Sequence, residues 1–178
     1  MAIPIKEKLF KLINRRVLNR NKMERVNSSF YNAKKIGLLY TWEGDSKKEA
    51  VDEFVRVMDL AGKEVYTACF YKSLINIGPQ VQDLIFTRKD FKLFGGIKSD
   101  ELVDFSTQEF DFIFHLDTES NIFIENILAR SKACCRVGRY DESRKEYYDF
   151  MIDVGSDQKI EILCSEMLKY TKQLVTHD

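Results

Sequence analysis

Strand-like and helix-like segments alternate along most of this sequence, and that alternation restricts the fold more than any other feature. Residues 34–40 (KKIGLLY), 64–72 (EVYTACFYK), 84–87 (LIFT), 111–117 (DFIFHLD), 133–138 (ACCRVG) and 147–155 (YYDFMIDVG) are short runs rich in β-branched and aromatic residues. Helical patterns lie between them. Residues 46–62 open with Ser46 and carry Glu49 three positions on, the spacing of a capping box. Ala50, Phe54, Val57 and Met58 then recur at helical spacing, and Gly62 suits the position just past a helix end. A short helix is expected at residues 100–105, and another after residue 119 with Ile122, Ile124, Ile127 and Leu128 as its stripe. A last helix runs from about residue 157 to 174, with Ser156 as N-cap and Ile160, Leu163, Met167, Leu168 and Leu174 as its stripe. Strands separated by helices imply βαβ crossovers and hence parallel pairing. The expected fold is an α/β, three-layer Rossmann-like sandwich with a mainly parallel sheet of about five or six strands, preceded by an N-terminal amphipathic basic helix.

A chain of 178 residues suits one such domain with an appended helix. Residues 1–33 are expected to form a basic helical arm and residues 34–178 the Rossmann-like body, with 27–32 (NSSFYN) as the joint. Hydrophobic residues make up 44% and charged residues 31%, which favours a packed core over disorder. No apolar run is long enough to span a bilayer, and the opening residues lack the apolar core and cleavage site of a secretory signal. Cys69, Cys134, Cys135 and Cys164 show no C-x-x-C spacing and read as reduced thiols of the core. A cytoplasmic location, with the option of peripheral attachment to a membrane or ribosome, and no metal centre are therefore expected.

The formal net charge is zero, but it is unevenly spread. Residues 1–35 hold ten lysines and arginines against two glutamates, a net +8; the rest holds 18 against 26, a net −8. On a helical projection of the arm, Ile5, Leu9, Leu12, Ile13 and Val17 share one side. Lys8, Lys11, Arg15 and Lys22 take the opposite side, and Arg16 and Arg20 intrude on the apolar stripe with stems long enough to snorkel. Three roles are open to this helix: packing on the body, contact with RNA or the ribosome, and attachment to an anionic membrane surface.

In open α/β sheets ligands bind beyond the carboxyl ends of the strands. That edge should carry Trp42, Glu43 and Asp45 after the first strand, with Gly44 between them, Lys72 and Ser73 after the second, and His115, Asp117 and Thr118 after the strand near residue 114. Alternation places His115 and Asp117 on one face of their strand, so that the carboxylate could orient the imidazole as a general base. The same cluster has a structural reading, with His115 buried beneath a helix and Asp117 or Thr118 capping the helix that begins near Glu119. Residues 138–150 (GRYDESRKEYYDF) mix charges with aromatics and read as a solvated loop whose tyrosines pack at its root.

Two segments resemble a known family. The strand, loop and helix KIGLLYTWEGDSKKEAVDEFVRVM, with its Gly44-Asp45 pair, look like the opening of heptosyltransferase-type glycosyltransferases. The segment DFIFHLDTESNIFIENILARSKACCRVGRYD, ending in Val137-Gly138-Arg139-Tyr140-Asp141, is similar to a later part of the same N-terminal domain. The resemblance implies a Rossmann-like domain that takes a sugar acceptor, with Asp45 at the place of the catalytic base. The basic, glycine-rich loop of that family is replaced here by Thr41-Trp42-Glu43, and the chain has no room for the donor-binding half. The overall layout also resembles a bacterial domain family of this size without an assigned function.

Other signatures are missing. The sequence has no G-x-S-x-G elbow, no Gly-Lys-Ser/Thr of a P-loop and no G-x-G-x-x-G, so neither a dinucleotide nor any other cofactor is expected. The sequence thus favours a non-catalytic binding or adaptor domain. Its Lys8, Lys11, Arg15, Arg16, Arg20 and Lys22 would engage an anionic partner, RNA or the ribosome ahead of a membrane surface. The alternative is a glycosyltransferase-related enzyme or sugar-binding domain that uses Asp45, His115 and Asp117, with Trp42, Gly44 and Thr118 around them.

Overall fold

The computed structural model describes residues 5–21, 29–72, 83–155 and 159–174, with side chains from Glu7 onward. Five helices and six strands follow in the order α1 (Ile5–Arg20), β1 (Lys35–Thr41), α2 (Asp45–Leu60), β2 (Glu64–Tyr71), β3 (Leu84–Thr87), α3 (Asp100–Thr107), β4 (Phe112–His115), α4 (Ile122–Arg130), β5 (Cys135–Arg139), β6 (Phe150–Ile152) and α5 (Ile160–Lys172). Turns of 3-10 helix cover Arg88–Asp90 and Glu142–Tyr147.

The strands form one sheet in the order β3-β2-β1-β4-β5-β6, and every neighbouring pair is parallel. This is the strand order of the doubly wound dinucleotide-binding folds. The chain winds outward from β1 through β2 to β3, then returns through α3 to start β4 on the other side of β1. Parallel strands covered on both faces need continuous apolar runs rather than alternation. β1 meets that need, since every residue from Ile36 to Thr41 is buried.

The two faces have separate cores. On one, Val51, Phe54 and Met58 of α2 and Leu163, Cys164 and Met167 of α5 pack against Leu38, Tyr40, Phe112, Phe114 and Leu116. On the other, Leu102 and Phe105 of α3 and Ile124, Ile127 and Leu128 of α4 pack against Leu39, Ala68, Phe70 and Ile113. Phe10 of α1 belongs to this second core, edge-on to Phe91 at 6.0 Å and to Phe123 at 5.1 Å. Cys69, Cys135 and Cys164 are buried thiols and Cys134 is half-buried; burial pushes the Cys69 and Cys164 thiols up to about 12. Among the described residues no helix is long and apolar enough to cross a membrane.

Several local expectations are corrected. α2 begins one residue before Ser46, and its N-cap is Gly44 at φ 112°, so no Ser46–Glu49 capping box forms. Glycine alone takes that backbone conformation without strain. At the other end Gly62, at φ 72°, follows the helix as expected. The strand expected over 147–155 is only Phe150–Ile152, because the preceding residues close a 3-10 turn capped by Asp141. Ser156 lies outside the described residues.

Candidate functional site

The strand order reverses between β1 and β4, so the carboxyl ends of these two strands flank the crevice where such folds place ligands. The loop after β1 contributes Trp42, Glu43 and Gly44, and the loop after β4 contributes Leu116, Asp117 and Thr118. Asp117 is the hub. Its carboxylate accepts hydrogen bonds from the Thr41 backbone N–H at 2.8 Å, the Thr41 hydroxyl at 2.6 Å and the Lys47 ammonium at 2.6 Å. His115 Nε2 stands 3.1 Å from Asp117 Oδ2. The other ring nitrogen, Nδ1, is 2.6 Å from the Tyr148 hydroxyl.

These groups are buried. His115 has no exposed surface, Asp117 is 2% exposed and Lys47 is 6% exposed. Burial alone would push the Asp117 carboxyl up. The His115 imidazole and the Lys47 ammonium outweigh it and hold the group well below the usual carboxylate range. Burial would lower the Lys47 pKa, and the Asp117 and Glu43 carboxylates raise it instead. Both partners therefore stay ionised. A buried carboxylate that holds a backbone N–H of the neighbouring strand joins the ends of β1 and β4.

The expected site residues have different fates. His115 and Asp117 come together as alternation required. Neither Asp117 nor Thr118 caps α4. That role falls to Asn121, whose Oδ1 accepts from the backbone N–H groups of Phe123 and Ile124, while its Nδ2 donates to the Thr41 hydroxyl. Trp42 stacks on Tyr71 with ring centres 5.3 Å apart. Gly44 caps α2, and Asp45 is exposed at the first position of that helix, whereas His115 is buried. Lys72 is exposed and Ser73 lies outside the described residues. Thr118 shares with Glu43, Ser46, Lys47, Lys159 and Glu161 an open crevice of about 420 Å³ above the switch point. Sequence reasoning missed Lys47, Tyr148 and Asn121. Lys47 looked like any solvated helix lysine, and its partner lies 70 residues away.

The N-terminal helix docks on α4 through a face rotated from the one its apolar pattern marks, sharing half-buried Ile13 and Val17 with it. Leu9 and Leu12 are exposed, at 42% and 53%, while Phe10 and Asn14 are buried. The Asn14 amide donates to the Ile122 carbonyl at 2.8 Å and accepts from Asn126 Nδ2 at 2.7 Å. Asn21, two turns on, donates to the carbonyls of Ala129 and Ser131. Asn21 thus supplies donors to carbonyls at the C-terminal end of α4, where the helix leaves them without intrahelical partners, and Asn14 adds a second donor to the Ile122 carbonyl at the other end.

Docking splits the basic residues into two flanks. Lys8, Lys11 and Arg15 face the 3-10 turn at Glu142–Tyr147, where Arg15 Nε pairs with Glu146 at 2.8 Å. Arg16 and Arg20 face the other way. With Arg130, Phe94 and Thr107 they line an open groove of about 600 Å³ that has no acidic wall residue among those described. Arg130 is half-buried, and its guanidinium donates to the Asn126 side chain and the Gly95 carbonyl but has no carboxylate partner among the described residues. Burial accordingly lowers its pKa. Lys22 lies outside the described residues. No group of three or more His, Cys, Asp or Glu side chains suited to a metal occurs among the described residues.

The model of a family of unknown function, DUF6913, matches residues 6–174, and the chain belongs to that family. No curated protein and no solved structure matches the chain.

Proposed function

We propose that this DUF6913 protein is a non-catalytic binding or adaptor domain that engages RNA, ribosomal RNA in the first instance, through the Arg16 and Arg20 flank of α1. The observation that carries the reading is the groove in which these two guanidiniums converge with Arg130, with no described carboxylate to neutralise them. Guanidinium forks match phosphate oxygens in pairs, and a partly desolvated one gains most from an incoming anion. Phe94, 73% exposed beside the arginines, offers a face on which an unpaired base can stack. A concave groove favours a strand over a flat lipid surface. The burial of His115 and Asp117 fits the non-catalytic reading, since neither side chain of that pair lines a described cavity.

Fluorescence anisotropy with a labelled single-stranded RNA, repeated across a salt series, tests this. Three phosphate contacts give a log–log salt slope of about −2. Arg16→Gln with Arg20→Gln should weaken binding and flatten the slope by about 1.4. Point changes are preferred to removing residues 1–33, because that removal also takes Phe10 from the core. Binding that ignores salt, an unaffected double variant, or co-sedimentation with phosphatidylserine vesicles in place of RNA binding would overturn the proposal.

A further inference from the structure

Glu125, in the first turn of α4, is 2% exposed, yet its carboxylate has no hydrogen-bond or ion-pair partner among the described residues. An ionised carboxylate so placed is costly unless something pairs with it. Its oxygens are not sealed in the core as Tyr71 Oη, His115 Nε2 and Thr171 Oγ1 are. The outlet is a cavity of about 450 Å³ between α1, the start of α4 and the 3-10 turn, which Glu125 lines. Tyr147, 3% exposed, lines the same cavity, and its phenol has no hydrogen-bond partner among the described residues.

Charge is layered within this cavity. Glu125 and Tyr147 are its most buried walls. Lys8, exposed, and Lys11, half-exposed and loosely ion-paired with Glu7 at 3.8 Å, stand at its mouth on α1. The other charged walls are already engaged. Arg15 holds Glu146, while Arg144 holds Asp141 and the Glu119 carbonyl. Burial raises the Glu125 pKa, Arg144 and Lys11 pull it down, and Asp141 and Glu146 push it up again. A cation delivered to this carboxylate would relieve that penalty.

We propose that this cavity is a binding site for a small zwitterion, whose ammonium pairs with Glu125 and Tyr147 while its carboxylate or phosphate faces Lys8 and Lys11. A simple anion would be repelled by Glu125 at the floor, and a simple cation by the lysines at the mouth. Only a ligand carrying both charges satisfies both layers, and it enters in one orientation. The volume suits a molecule of amino-acid size. The site lies on the flank of α1 opposite the arginine groove and stands whether or not RNA binds there.

The test is calorimetry and thermal shift on the full-length protein with the common α-amino acids, β-alanine and O-phosphoethanolamine. Ethanolamine and inorganic phosphate serve as half-ligands. At least one zwitterion should bind and raise Tm, and neither half-ligand should match it. Glu125→Gln, nearly isosteric, should weaken binding tenfold or more, and Lys8→Gln with Lys11→Gln should do likewise. Tyr147→Phe supplies a second floor variant should Glu125→Gln misfold, with an expected loss of several-fold. Carboxylate and phosphate ligands separate on which of β-alanine and O-phosphoethanolamine binds. The proposal falls if no zwitterion binds, if inorganic phosphate binds as tightly, or if the floor variants keep full affinity.

Discussion

A Cβ added to Gly138 would stand 2.2 Å from Cε1 of the Tyr148 ring. Gly138 is therefore required by the tyrosine lying flat against β5, the position from which its hydroxyl reaches His115 Nδ1. Gly138→Ala must displace that ring and should cost about 1–3 kcal/mol, as overpacking of a tight core does. Urea melts check this. In a Tyr148→Ala background the same glycine change should be nearly free, and equal costs in both backgrounds would refute the steric explanation.

Lys47 and Asp117 are a buried pair in which each partner justifies the other. Lys47→Met leaves Asp117 ionised in the interior with only His115 nearby, and should destabilise by about 3–5 kcal/mol. Asp117→Leu leaves the Lys47 ammonium with Glu43 alone and removes the acceptor of the Thr41 N–H. The double variant should lose clearly less than the sum of the two single changes. Strict additivity in chemical denaturation would mean the pair is not coupled.

The pH dependence follows from the same carboxylate. The folded protein holds Asp117 below its ordinary value of 3.8, so the unfolded chain binds that proton more readily. Its contribution to stability is present above the ordinary value and is lost as pH falls from there toward the folded value. Denaturation midpoints measured between about pH 5 and pH 2 should drop in the wild type, and less steeply in Asp117→Asn.

Asn14 ties α1 to α4 with two amide hydrogen bonds in a setting without exposed surface. Asn14→Leu removes both and leaves the Ile122 carbonyl without this donor, for a cost of about 1–3 kcal/mol. Hydrogen exchange should quicken along α1 first, with β1 and β4 still protected. A uniform increase across the sheet would mean that α1 does not open as a separate unit.

The layered fold was readable because its signal is local. The buried run of β1, the aromatic β2 and the 3.6-residue stripe of α2 each declare their element within about ten residues. The alternation of His115 and Asp117 was readable for the same reason. What escaped depends on distant partners. Lys47 gains its meaning from a carboxylate 70 residues on, and Asn14 from a side chain 112 residues on. The docked face of α1 was misplaced because its stripe contains Asn14 and Asn21, which a hydrophobic pattern counts as outward-facing. The Ser46–Glu49 motif yielded to Gly44, whose positive φ starts the helix one residue earlier.

Asn14 of α1 and Asn21 just past its end index the helix as a key indexes a shaft. A residue inserted between Asn14 and Asn21 would turn one about 100° relative to the other, and both could not then reach α4. Which cations look into the arginine groove and which into the Glu125 cavity is therefore decided by two uncharged amides. The seven-residue interval between the amides is thus a spacing that the docked helix has to keep.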